Sequence, residues 1–294
     1  MRKILAIVII AAIAVGATVV SAKGAKVRRE LRIFNAKVPE MKLLGESDME
    51  FMYDYTWSVD TTVDDAFKTE RMILQIAPDM SMFSSYGKIQ VDSLLMCSTS
   101  DDILANPERY MKGLSESVVK RRSDNTITVT DKICNDWFRF SEPVPDFRWE
   151  LTGEEKEVLG YLCQGARCTF RGRDFTAWFT DDIPVSDGPW KFCGLPGLIL
   201  EAGDSAGEYV FKCVGIYSTR RRNMEEYDVS YNRTDRIGYY NTRHSYDINP
   251  YSYAQTVSGT TVTCTDEYGN PDPTAFDPMP LDYDYIERDW NGKR

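Results

Sequence analysis

The sequence predicts a mainly β protein, an antiparallel sheet with one helix packed on it. Apolar and polar residues alternate through most of residues 26–216, which is the period of half-buried strands. Turn residues, many of them glycine, separate the alternating runs. One stretch, within residues 100–122, has apolar residues at helical spacing instead. Long hairpins and a single helix are therefore expected.

The clearest predicted strand has an aromatic residue at every second position. Phe51, Tyr53, Tyr55 and Trp57 share one face of it, so that face is expected to be buried. Three further runs alternate in the same way, at residues 72–77, 126–130 and 175–179. Each is predicted to be a strand of an antiparallel sheet.

Short turns join neighbouring strands into hairpins. Residues 171–173 contain a glycine and separate a strand predicted over about 158–170 from one over about 174–180. Residues 204–207 have the same role between the next two predicted strands. Both turns indicate antiparallel pairing.

The predicted helix follows Ser100, a favourable N-cap, and extends to about Arg122. Pro107 suits the first turn of its better part. An apolar stripe at helical spacing is formed by Tyr110, Met111, Leu114 and Val118. Such a stripe is typical of a helix that covers one face of a sheet.

Residues 181–204 combine prolines, glycines and one tryptophan before an apolar run. Proline fixes φ and removes a donor, so the segment is predicted to be a shaped connection, with a type II turn at Pro196–Gly197. Trp190 is expected to act as a buried plug, and 198–200 as a fully buried strand. The residues assigned to this structural motif are Pro184, Gly188, Pro189, Trp190, Gly194, Leu195, Pro196, Gly197, Leu198 and Ile199.

The same segment carries a family resemblance. Residues 194–199 read Gly-Leu-Pro-Gly-Leu-Ile, and the block 159–204 resembles the core of the GLPGLI family, exported proteins of Bacteroidetes-type Gram-negative bacteria. The resemblance covers about residues 48–220 and implies an exported protein without an established activity. It also implies a sheet similar to the open half-barrels of periplasmic lipoprotein carriers.

The N-terminus predicts export independently. Arg2 and Lys3 precede an apolar run over 4–20, and small residues at Gly16, Ser21 and Ala22 fit a cleavage site. Residues 1–22 are therefore predicted to be a signal peptide that is cleaved after about Ala22. A membrane anchor is the alternative. The mature protein is expected in the periplasm of the Gram-negative envelope.

Two parts are predicted for the mature chain. Residues 23–219 are expected to form a single β-rich domain. Residues 220–294 are rich in Tyr and Asp and poor in branched aliphatics, so they are predicted to wrap around the domain or to be partly disordered.

Charge and cysteine content exclude several classes of protein. Loss of residues 1–22 removes two of the 35 basic residues and none of the 45 acidic ones, which leaves a net charge of −12. A nucleic-acid partner is not expected, because it requires a cationic face. Seven cysteines without a CxxC pair leave any disulfide pairing open and indicate no zinc ribbon.

No catalytic residues, metal ligands or cofactor are predicted. The single histidine, His244, is interpreted as an exposed loop residue, since no nucleophile motif accompanies it. Asp181, Asp182 and Asp187 lie in the motif and are interpreted as solvated loop acids. A hydrolase is therefore only the third functional interpretation.

The aromatic residues leave two functional hypotheses. In a closed sheet they would simply pack, whereas in an open half-barrel Phe51, Tyr53, Tyr55, Trp57 and Trp178 would line a site for a lipid or another apolar molecule. The first hypothesis is a non-enzymatic carrier of such a ligand. The alternative is an accessory that docks on an outer-membrane receptor or transporter through the tyrosine-rich tail.

Overall fold

The computed structural model describes most of the chain from residue 38 onwards and three short stretches before it. The described residues are 6–9, 17–20, 31–34, 38–110, 112–217, 222–257, 262–265, 277–278 and 281–291. Most of the predicted signal peptide lies outside them, so export stays a prediction. None of the helices in this described part has the length and apolar character that a bilayer span requires.

Strands dominate the structure. In chain order they are β1 (Ala6–Ile9), β2 (Ala17–Val20), β3 (Leu31–Phe34), β4 (Met41–Glu46), β5 (Met49–Ser58), β6 (Phe67–Ile76), β7 (Met80–Ser85), β8 (Ser117–Arg121), β9 (Thr126–Ile133), β10 (Asp136–Pro143), β11 (Glu150–Val158), β12 (Tyr161–Phe170), β13 (Arg173–Thr180), β14 (Leu198–Asp204), β15 (Tyr209–Tyr217), β16 (Asn223–Tyr227), β17 (Asn232–Arg233) and β18 (Val262–Thr265). The α-helices are α1 (Tyr86–Met96), α2 (Ser100–Ala105), α3 (Arg236–Ile248) and α4 (Pro250–Thr256).

Twelve strands form one large sheet, in the order β11-β12-β13-β14-β15-β5-β6-β7-β8-β9-β10-β17. Its pairs are antiparallel except β10–β17. The edge strands β11 and β17 do not pair with each other, so the sheet is open rather than closed, and it is not strongly curled. Three small pairs, β1–β3, β2–β18 and β4–β16, lie outside it.

The predicted mainly β, antiparallel class is confirmed, and so are both hairpins. Arg171 and Gly172, with φ of 48° and 82°, turn the chain between β12 and β13. Residues 205–208 connect β14 to β15 in the same way. The aromatic alternation of residues 51–57 lies within β5, which pairs with β6 and β15 near the middle of the sheet.

One face of the sheet carries the main hydrophobic core and is called the core face here. Alternate residues of neighbouring strands meet on it, among them Tyr53, Val118 and Ala177. The motif segment supplies Trp190, Phe192 and Leu195 to the same core, and the Phe192 ring centroid lies 5.0 Å from that of Phe175. The motif segment is therefore part of what fills this face.

The helix predicted within residues 100–122 is wrong in extent. The longest helix of this region is α1, which precedes it, and α2 ends at Ala105. Pro107–Tyr110 forms only a 3-10 turn, and Val118 lies in β8, where a β-branched residue packs well. The sheet pairing of 117–121 with both β7 and β9 overrides the helical spacing.

The turn predicted at Pro196–Gly197 also needs correction. Gly194 has a positive φ of 93°, whereas Gly197 does not. Gly197 is needed for another reason, because a Cβ there would lie 1.9 Å from the Thr180 carbonyl oxygen. The glycine allows two backbone segments to approach closely, rather than supplying left-handed geometry.

Residues 281–291, called the C-terminal segment here, lie against the ends of several strands. Thr61 N donates to Asp282 O over 2.7 Å, and Arg173 Nε donates to Tyr285 O over 3.1 Å. Arg288 N donates to Arg171 O over 2.9 Å. The segment therefore runs from the β5–β6 connection to the β12–β13 turn.

Candidate functional site

Two of the five aromatic residues predicted to bind a ligand are fully buried. Phe51 and Tyr53 belong to the packed core, and the Tyr53 hydroxyl donates to Ile199 O over 2.7 Å. Protein side chains and the motif strand already cover both rings. They could support a site from below but do not themselves line open space.

Tyr55 and Trp57 are half-buried and lie at one end of the core face. The Tyr55 ring stacks on Trp57 at 5.0 Å and on Phe211 at 4.5 Å between centroids. The three rings form a continuous aromatic wall across β5 and β15. Such a wall has the polarisable, apolar character that suits an aliphatic or aromatic ligand.

Trp178 lies on the opposite face from the other four aromatic residues. Its cross-strand neighbours run through Glu201 and Lys212 to Asp54, the residue next to Tyr55 in the chain. Lys156 Nζ lies 4.4 Å above its ring. Strand alternation thus separates Trp178 from the others, so the five residues do not form one site.

The structure brings a carboxylate, Glu116, to the core face beside the aromatic wall. It directly precedes β8 and has the same parity as Val118, whose side chain is in the core. Burial raises the pKa of Glu116 to about 7, and the negative charge of Asp131 raises it further, while Lys191 opposes the shift. At neutral pH this carboxyl is therefore about half protonated.

Glu116 and Tyr55 share an uncommon combination of depth and access. Burial dominates the upward shift of both pKa values, and Glu116 also acts on Tyr55 electrostatically. Each side chain nevertheless keeps part of its surface accessible to solvent. A side chain with both properties lines a recess that extends into the protein, rather than a packed core or an outer surface.

Helix α3 contributes a cation to the same region. Arg243 remains about one-third exposed and its Nη1 lies 3.4 Å from Asp131 Oδ2, while its Nε lies 3.1 Å from Asp247 Oδ2. Tyr239 donates to Asp131 Oδ2 over 2.7 Å. We call the space lined by Tyr55, Glu116 and Arg243 the polar recess.

Only Tyr55 of these three residues was predicted as a site residue. Glu116 fell inside the predicted helix, so its face could not be assigned from the sequence. Arg243 belongs to the part predicted as an extension, where α3 instead packs on the sheet. The sequence signal that could have found Glu116 is the alternation 116, 118, 120, which continues β8 towards its N-terminal side.

Two interpretations of polar residues are wrong. Asp187 is buried rather than solvated, because Lys120 Nζ lies 2.5 Å and Arg122 Nη2 lies 3.0 Å from its carboxylate. His244 lies in α3 rather than in a loop, half-buried, with its ring 5.1 Å from that of Trp290. Asp181 and Asp182 are exposed, as interpreted.

The Lys120–Asp187 pair explains how the motif segment is held. Lys120 Nζ also donates to Gly188 O over 2.6 Å and to Phe192 O over 3.1 Å. A buried ammonium group with three such acceptors is fully satisfied. This cluster therefore fixes the motif on the core face and offers no free group for chemistry.

Metal and thiol chemistry find little support in the described part of the chain. It contains no group of three or more potential metal ligands. Six cysteines are free, with Cys97 exposed, Cys134 half-buried and the other four buried. The tail tyrosines Tyr239, Tyr240, Tyr251 and Tyr253, part of the predicted docking surface, are buried in the fold.

Comparison with known proteins yields two solved structures and a short family match. The structures are described as PNGF-II in space groups P21 and C2, with TM-scores of 0.45 and 0.43 and sequence identities of 14% and 15%. They match 66% and 67% of this chain, which spans only 32% of each of theirs. No curated protein matches. Residues 169–201, which include most of the motif, match the model of the family described as "Protein of unknown function (Porph_ging)".

Proposed function

We propose that the chain is an exported periplasmic binding protein that carries a small, mainly apolar ligand with one hydrogen-bonding group. The ligand would occupy the polar recess, with its apolar part on the aromatic wall. The proposal retains two finer predictions from the sequence, a half-barrel curvature around the ligand and membership of the GLPGLI family.

One observation carries this proposal. Tyr55 and Glu116 are set deeply enough for burial to dominate their pKa shifts, yet solvent reaches both side chains. Water in such a space can be replaced by a ligand with a favourable change in apolar contact. The filled part of the core face, around Trp190 and Phe192, offers no comparable space.

The lining residues define the ligand chemistry. Tyr55 and Phe211 provide an apolar surface, while the Glu116 carboxyl can accept a hydrogen bond when ionised and donate one when protonated. Arg243 already has Asp131 and Asp247 as partners, so its charge is largely neutralised. An alcohol or amine head group is therefore favoured over a carboxylate, which Glu116 and Asp131 would repel.

Calorimetric titration with decanol, decylamine and decanoate tests the proposal. A ten-carbon chain can gain up to about 8 kcal/mol from burial, part of which is offset by the cost of association. We expect decanol and decylamine to bind with dissociation constants of roughly 10–100 µM. Decanoate should bind at least fivefold more weakly than decylamine at pH 8.

Two variants make the titration specific to the recess. Glu116→Gln should weaken decylamine binding about fivefold at pH 8 and change decanol binding less than twofold. Asp54→Asn is the matched control, since it removes a carboxylate next to Tyr55 in the chain but on the outer face. The proposal fails if no ligand binds more tightly than ~100 µM, roughly −5.5 kcal/mol, or if both variants respond alike.

A further inference from the structure

Strand β11 is an edge strand of the large sheet. It pairs with β12 on one side, and none of the described strands pairs with it on the other. Outward-facing backbone N–H and C=O groups of such a strand can accept an added strand. The edge is separate from the polar recess, because β11 and β5 are separated by four strands in the sheet order.

A cavity lies at the start of this edge. It has a volume of about 320 Å³ and is lined by residues 144–149, Leu151 and residues 193–196. Trp149 Nε1 donates to Cys193 O over 2.8 Å, which ties the two walls together. Phe147 and Leu195 are buried within the walls, so the cavity presents apolar surface to a side chain that enters it.

The exposed side chains of β11 are predominantly acidic. Glu150, Glu154, Glu155 and Glu157 are all exposed. Of the two nearby cations, Lys156 pairs with Glu201 and Arg167 lies 3.6 Å from Glu154. A partner strand with lysine or arginine would therefore be attracted, whereas a second copy of β11 would place like charges opposite each other.

The register of β11 against β12 is interrupted between Leu151 and Glu155, where Gly153 has a positive φ of 75°. A bulge of this kind discourages indiscriminate edge-to-edge pairing. A partner must then match the short regular stretch at 155–158 and the cavity beside Leu151. The edge is thus selective for its partner.

From these observations, we propose that β11 and the adjoining cavity bind an extended, basic peptide segment of a partner protein. The segment adds as a strand to β11, its cations lie against the glutamates, and one apolar side chain enters the cavity. This proposal does not depend on ligand binding in the polar recess.

The test uses the full chain and a fluorescent nine-residue peptide of alternating lysine and serine with leucine at the centre. We expect saturable binding by anisotropy and slower hydrogen exchange of the amides of residues 150–158. A peptide with N-methyl groups at alternate positions should bind at least tenfold more weakly, since it cannot donate to the edge. Replacement of the leucine by serine should weaken binding about fivefold.

Charge variants complete the test. The double substitution Glu154→Gln and Glu155→Gln should weaken binding at least fivefold, whereas Glu40→Gln with Asp64→Asn, an equal change at exposed sites elsewhere, should have less than a twofold effect. Equal binding of the N-methylated peptide, or equal effects of the two double variants, would overturn the proposal. So would sedimentation showing a dimer whose exchange protection covers β11, because the occupant would then be a second copy.

Discussion

At the scale of single residues, Glu116 combines a buried setting with an unpaired role in the described contacts. Burial and the neighbouring Asp131 raise its pKa to about 7, above the ordinary value of 4.5. A folded state that holds a proton more tightly than the unfolded chain is stabilised at low pH. That contribution is full below about pH 4.5 and is lost as the pH rises through about 7.

Glu116→Gln should therefore change how stability depends on pH. The parent should lose up to about 2–3 kcal/mol relative to the variant between pH 5 and 8, a value reduced by the solvent that reaches the carboxyl. Urea unfolding at pH 5, 6.5 and 8 measures this difference. An equal offset between the two proteins at all three pH values would contradict the assigned pKa.

Trp190 is the residue through which the motif segment fills the core. Its ring is only 3% exposed and lies 5.2 Å from Phe192 between centroids. Trp190→Ala should lower the free energy of unfolding by about 3–5 kcal/mol, because a large cavity replaces the ring. Trp178→Ala, on the outer face and half-exposed, is the control and should cost less than half as much. Equal losses in chemical denaturation would argue against a packed plug.

Residue burial could be predicted from the sequence where alternation was clear, and not elsewhere. The odd positions of 51–57 were correctly expected to share a face. Their division into covered and accessible rings could not be foreseen, because it depends on the motif segment and α3 packing over different parts of that face. Burial of Asp187 likewise depends on Lys120, 67 residues earlier in the chain.

At the scale of elements, the C-terminal segment is attached through a buried ion cluster. Glu287 is fully buried and lies 2.6 Å from Lys191 Nζ, 2.6 Å from Arg171 Nη1 and 2.8 Å from Arg236 Nη1. Burial alone would raise the pKa of Glu287, but the Lys191 and Arg171 charges lower it below its usual range. The carboxylate therefore stays ionised in the folded protein.

Glu287→Gln should destabilise the protein by about 3 kcal/mol, since it leaves buried cations without their central partner. Asp289→Asn is the matched control, because Asp289 pairs with the same Arg236 at 2.7 Å but is one-third exposed. That change should cost at most about 1 kcal/mol. Denaturant unfolding at pH 7 distinguishes the two, and equal costs would contradict a buried, ionised Glu287.

Elements were predicted correctly where local and non-local signals agreed. The hairpins β12–β13 and β14–β15 have turn residues that match their strands. The stretch 100–122 was assigned wrongly because its apolar spacing suits a helix, while pairing with β7 and β9 makes its end a strand. Helix α3 was missed because its apolar stripe consists largely of tyrosines.

At the scale of the whole molecule, the cysteines report on global unfolding. Burial raises the pKa of Cys163 and Cys213 to about 11 and that of Cys168 to about 12, so these thiols are unreactive in the folded state. In a Cys264→Ser background, a disulfide reagent at pH 8 should label one thiol rapidly, Cys97. The buried thiols should react only with unfolding.

Thiol counting before and after addition of urea measures this prediction. Cys97→Ser should abolish the rapid phase and leave the slow phase unchanged. Fast labelling of two or more buried thiols in the native protein would show that the sheet opens locally. A missing pair of thiols after unfolding would show a disulfide.

The antiparallel architecture followed from alternation and turns, since both are local properties of the chain. The candidate site did not, because the polar recess is assembled from β5, the residue before β8 and α3, which lie far apart in the sequence. Nothing in the local pattern around Glu116 or Arg243 encodes their meeting.

The Lys191–Glu287 contact has a consequence for how the chain matures. The two residues are 96 positions apart, so a growing polypeptide presents Lys191 long before its counterpart has been synthesised. Until then an ammonium group destined for the interior must stay hydrated, and the core around it cannot close. Completion of the fold is thus deferred until the late-synthesised residues have emerged. A chain truncated before Glu287 would remain conspicuous to proteases and chaperones.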